Sequence, residues 1–210
     1  MARGHFSRTA VACAAAAALI IGLTSAIRGQ EATRAPLAFN TARVSIAGTS
    51  NIHAYTASTT TVRVARAQLS AAAAGPNLWD AVLKPGAVEA FEIAIPAATL
   101  SSPKDGLDKN MHKALKVEKF ADITFRLTRI EPGANGTARA IGTLRIAGVE
   151  REVVLNLKTQ RHDTGLAVSG ELELLMTDYG IKPPTAMLGM LKTDPKVTVT
   201  FETVLAVPLT

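Results

Sequence analysis

One cysteine, one tryptophan, two tyrosines and six phenylalanines occur in 210 residues, so thiols and aromatic rings are both scarce. The cysteine, Cys13, stands inside an N-terminal apolar run. A mature chain starting beyond that run carries no disulfide, thiolate nucleophile or thiol-bound metal. The histidines are His5, His53, His112 and His162, and no two share a short spacing. Zinc needs three or four ligands at workable geometry, so neither metal nor cofactor is expected. No Gly-x-Ser-x-Gly elbow and no Walker-type glycine loop occurs. Lys and Arg number 23 against 17 acidic residues, a formal charge of +6. They are spread along the chain and nowhere interleave with aromatics, which argues against a nucleic-acid partner.

Long hydrophobic runs are also missing. The longest, Ala10 to Leu23, falls short of the roughly 20 residues that span a bilayer. It follows Arg3 and Arg8 and precedes the small residues Thr24, Ser25 and Ala26, the pattern of a cleavable secretory signal. An uncleaved anchor is the competing reading. Cys13 comes before most of the apolar run, too early for lipoprotein processing, and no paired arginines point to the twin-arginine route. The expected organisation is a signal peptide over 1–26, a flexible lead-in over 27–38 and one folded domain over 39–210. The mature protein is expected to be periplasmic or secreted.

What is abundant is period two. Phe91, Ile93 and Ile95 alternate with Glu92, Ala94 and Pro96; Ile123, Phe125 and Leu127 alternate with Thr124, Arg126 and Thr128. The same pattern runs through Thr143–Ile146, Glu152–Lys158, Leu166–Thr177 and Val197–Glu202. One apolar and one polar face describes antiparallel strands over a single interior. Val44–Ile52 and Thr59–Leu69 add two more, making about eight strands. Glu131–Gly136, Ala147–Val149 and Asp163–Gly165 supply turn residues, and Pro96 can end its strand.

The period changes once. Leu107, Met111 and Leu115 recur every four residues among Asp108, Lys109, Lys113 and Lys116, predicting one short amphipathic helix over 107–117. Ser101, Ser102 and Asp105 are its capping candidates. One short helix cannot cover both faces of eight strands, so a sheet closed on itself, with the helix as flap or plug, is the economical all-β arrangement. A sandwich is the rival.

Four segments carry a resemblance. They are Ser45–His53, Leu107–Lys116 leading to Phe120–Phe125, Gly142–Val153, and Asp178–Pro184 followed by Val197–Glu202. In this order they resemble the YceI family of lipocalin-like periplasmic barrels that bind polyisoprenoid or related lipids. Ala54 and Tyr55 stand where many relatives carry an acidic residue and Trp. The resemblance implies non-enzymatic binding, carriage or sequestration of an isoprenoid, a quinone-like compound or another long-chain lipid inside the barrel. Transient contact with a membrane surface is compatible with that role.

The expected lining is Phe91, Ile93, Met111, Leu115, Phe125, Leu127, Leu144, Leu155, Leu172, Leu174 and Met187. His53, His112 and Lys113 are the candidate headgroup contacts. The small residues Ala138, Ala140, Gly142 and Gly170 are expected to leave volume unfilled. Two other readings stay open: a secreted barrel with a filled interior serving interaction or stress response, and a hydrolase built on His53 with Ser45 or Ser50.

Overall fold

The computed structural model describes residues 37–73, 77–186 and 190–208. The signal segment 1–26, with Cys13, and Met187 lie outside the described residues. Among the described residues ten strands occur: β1 (Ala38–Ser50), β2 (Ala54–Thr59), β3 (Arg63–Leu69), β4 (Val88–Pro96), β5 (Asp122–Pro132), β6 (Thr137–Ile146), β7 (Val149–His162), β8 (Gly165–Leu175), β9 (Thr185–Ala186) and β10 (Leu191–Ala206). All pairings are antiparallel, in the order β2-β1-β10-β8-β7-β6-β5-β4-β3, and β9 adds to β10.

The alternation places the apolar set on one side of each strand. Val44, Phe125, Leu144, Leu155, Leu172 and Phe201 all reach the same interior, so the sheet curls around them. The hairpin turns follow their residues. Asn135 and Gly136 both have positive φ, 53° and 74°, as a two-residue turn matched to strand twist requires.

Three expectations need correction. The described residues form ten strands rather than about eight, because β2 and β9 lack a hydrophobic alternation. In β2 the less exposed positions are Tyr55, Ala57, Ser58 and Thr59, only one of them large and apolar, and β9 is two residues long. The sheet also keeps two edges, β2 and β3. Ser58 and Ser101 stitch β2 to the chain leaving β4 through a reciprocal pair of backbone hydrogen bonds, 2.8 and 3.0 Å. Finally, Leu37 and Ala38 do not belong to a flexible lead-in: Leu37 is 2% exposed and Ala38 opens β1.

Each end of the barrel has its own helix. At one end the single turn α1 (Leu78–Ala81) contributes Leu78, which packs with Val82, Leu37 and Leu166 in one buried cluster. That turn is too short to show a period, which is why only one helix was expected. At the other end lies α2 (Asp105–Leu115), two residues earlier than the spacing predicts. It stops at Lys116, which adopts the left-handed region at φ 55° and turns its N–H back toward the last carbonyls. Lys104, not a serine, is the N-cap, and it makes no side-chain capping bond. Asp108 instead accepts the Ser102 N–H at 2.8 Å, fixing the entry to the helix. Leu115 packs against Ile146, Tyr179 and Ile181 in a second buried cluster, with Met111 and Ala114 at its edge.

Candidate functional site

The barrel interior is not solid. A deep cavity of about 210 Å³ runs among residues of β1, β4 to β8 and β10. Among the described residues Thr203 is the only polar one in its lining, and its hydroxyl donates to the Val168 carbonyl at 3.1 Å. Above it, beneath α2, a mouth chamber of about 570 Å³ carries a mixed rim. Ile46, Ile123, Ile146, Leu174 and Val199 line both spaces, so the two are stacked on one set of walls. A volume of several hundred cubic ångströms with apolar walls and few polar groups is what a small amphiphile needs. These two spaces are not those of the alternative reading, a barrel with a filled interior.

The predicted lining residues distribute between the chambers. Phe91, Ile93, Phe125, Leu127, Leu144, Leu155 and Leu172 face the deep one, Met111 and Leu115 the mouth, and Leu174 both. The glycines behave differently from expectation. A Cβ on Gly142 would collide with the Phe125 ring, and one on Gly170 with the Phe201 ring. The space beside each glycine is therefore taken by a ring across the strand pair. Ala140 does line the deep cavity, whereas Ala138 packs in a buried cluster with Phe125 and Leu157.

Of the three headgroup candidates, His53 lines the mouth and the other two do not. The His112 ring bonds through Nε2 to the Leu100 carbonyl at 2.8 Å, tying α2 to the chain that follows β4. Lys113 is exposed on the outer side of the same helix. Helical spacing alone does not say which side meets the opening; here Leu107, Asn110, Met111 and Ala114 do.

The Ser50–His53 pair is a turn. Ser50 Oγ donates to the His53 carbonyl at 2.8 Å and accepts the His53 N–H at 3.1 Å. That hydroxyl is engaged with backbone, as a strand-end turn requires.

Residues that the sequence reading did not assign complete the mouth. Among the described residues Lys104 is the only permanently charged one of its lining, and Ser102, Asn110 and Thr193 add polar groups. Tyr55 lies over Gly48, its direct partner on β1. Burial, then the nearby Asp194 carboxylate, hold its phenol proton beyond the ordinary 10.0. Tyr179, 2% exposed, is shifted the same way by burial and Asp178, with Arg151 opposing. Both tyrosines are therefore neutral phenols over the physiological range.

Among the described residues no three His, Cys, Asp or Glu side chains gather as a metal ion would require. No helix among them is long and apolar enough to cross a membrane.

Curled antiparallel sheet, apolar interior and a polar opening define a lipocalin-like barrel with an apolar cavity. The chain belongs to the YceI-like domain family, which matches residues 32–205. Three solved structures share the fold. BcnA of Burkholderia cenocepacia is 12% identical at a TM-score of 0.61, over 79% of this chain and 96% of its own. A Saccharophagus degradans polyisoprenoid binding domain, implicated in plant cell wall breakdown, is 13% identical at 0.59, over 83% and 100%. The Campylobacter jejuni YceI protein is 18% identical at 0.52, over 71% and 82%. No curated protein matches the sequence.

Proposed function

We propose that this protein is an extracytoplasmic binder of an isoprenoid-like amphiphilic lipid, which it carries or sequesters without chemical change. The supporting observation is the pair of stacked cavities, almost wholly apolar at depth and polar only at one opening. A tail placed in the deep chamber gains about 0.8 kcal/mol per buried methylene. Ten carbons thus supply several kcal/mol before the losses of association. A polar head placed there would find no partner and would cost ~1–3 kcal/mol. The ligand therefore enters tail first and leaves its head beside His53, Tyr55, Asn110 and Lys104. One oxygen-bearing ring, as in a quinone or its phenolic precursor, suits two neutral phenols and a single lysine.

Membership of the YceI-like family and a structural neighbour described as polyisoprenoid binding agree with this reading. So does the N-terminal segment, read as a cleavable export signal. Native mass spectrometry of protein purified without detergent tests it. The expected result is an added hydrophobic mass, or uptake of an added isoprenoid; protein that stays empty after such addition would refute the reading.

A further inference from the structure

The rim holds two large apolar side chains that the cavity does not use. Ile52 is 58% exposed and Met190 67%, and neither lines the mouth. Asn51 joins the two segments that carry them. Its Nδ2 donates to the Met190 carbonyl at 2.8 Å, its Oδ1 accepts the Lys192 N–H at 2.8 Å, and its own N–H donates to the Lys192 carbonyl at 3.1 Å. The tip of the β1–β2 turn and the entry to β10 are thus clamped together. Their neighbours His53 and Thr193 line the opening. Lys192 is exposed beside the pair, and Lys104 is exposed in the mouth lining. Asp194 lies near Tyr55, Asp105 is exposed next to Lys104, and Lys196 is paired with Glu173 at 2.6 Å.

We propose that this rim docks on an anionic bilayer surface, Ile52 and Met190 entering the headgroup layer and the two lysines facing lipid phosphates. The proposal rests on the lipid-binding reading above and adds where the exchange occurs. Every methylene that crosses water shifts the transfer equilibrium about four-fold against it. A mouth pressed to the bilayer removes that step. Apolar side chains flanked by lysines fit an interfacial contact. Two side chains fall far below the ~800 Å² per partner of a stable dimer, which argues against a second copy as occupant.

Co-sedimentation with vesicles tests it, using phosphatidylcholine alone and an equal mixture with phosphatidylglycerol. The protein is expected to partition onto the mixed vesicles and to release with salt. Ile52→Glu and Met190→Glu should each weaken partitioning about ten-fold or more, and Lys192→Gln about five-fold. Uptake of a fluorescent isoprenol from detergent micelles should be unchanged in all three. A protein that ignores both vesicles, glutamate variants that partition like the parent, or self-association through this rim would each overturn the proposal. Partitioning that depends on these residues, in a protein that takes up no isoprenol, would support docking and remove the lipid-carriage reading.

Discussion

At the floor of the barrel, Leu37, Leu78, Val82 and Leu166 are all buried, and Trp79, Leu83, Val88 and Phe91 pack around them. At the mouth, Leu107 and Met111 are only half-buried and share their surroundings with serine, threonine, histidine and lysine. Both ends are capped by a helix, yet one cap is core and the other is a cover. A floor of buried apolar side chains and a mouth with a mixed rim give the cavity a direction. The floor contributes to stability, and the mouth leaves apolar surface available to a guest.

That contrast can be broken most easily at the floor. Leu78→Ala should cost about 2–5 kcal/mol in denaturant unfolding. Met111→Ala at the mouth should cost about 1 kcal/mol or less and mainly weaken lipid uptake. The reverse order would dissolve the distinction. Along the walls, Gly142→Val must displace the Phe125 ring and meets the Arg126 carbonyl. A loss of about 1–3 kcal/mol is expected, read as a lower melting temperature. His112→Ala leaves the Leu100 carbonyl without its imidazole and should cost about 1 kcal/mol. Lipid affinity should hold, because the ring does not line the mouth.

The smallest effect is on pH dependence. Tyr55 and Tyr179 have folded pKa values above the ordinary 10.0, so the unfolded chain gives up these protons first. Their contribution is complete below pH 10 and is lost as pH rises through the folded values. Melting temperature should therefore be insensitive to these groups near neutrality and fall above pH 10. Asp194→Asn should bring the Tyr55 titration, followed by phenolate absorbance, closer to 10.0.

The long strands were legible because their inward residues are Ile, Leu, Val and Phe, which stand out at period two. β2 was not, since Tyr55, Ala57 and Thr59 do not contrast with the Thr and Ser beside them. α1 was missed because four residues cannot display a helical repeat. The lining residues on strands followed from parity alone. Positions on α2 were harder: Met111 and Leu115 face inward as the apolar stripe implies, but the direction of His112 depends on the Leu100 carbonyl, a tertiary partner. The glycines misled for a related reason. A missing side chain looks like empty space until the cross-strand neighbour is known, and Phe125 and Phe201 are those neighbours.

The chain has one tryptophan, and Trp79 packs at the floor. Fluorescence quenching of this residue by isoprenoid analogues carrying a bromine at the tail end or at the head tests the direction of binding. The tail label should quench Trp79 and the head label should leave it bright. Equal quenching by both, or none by either while the analogue is bound, would contradict tail-first entry toward the floor.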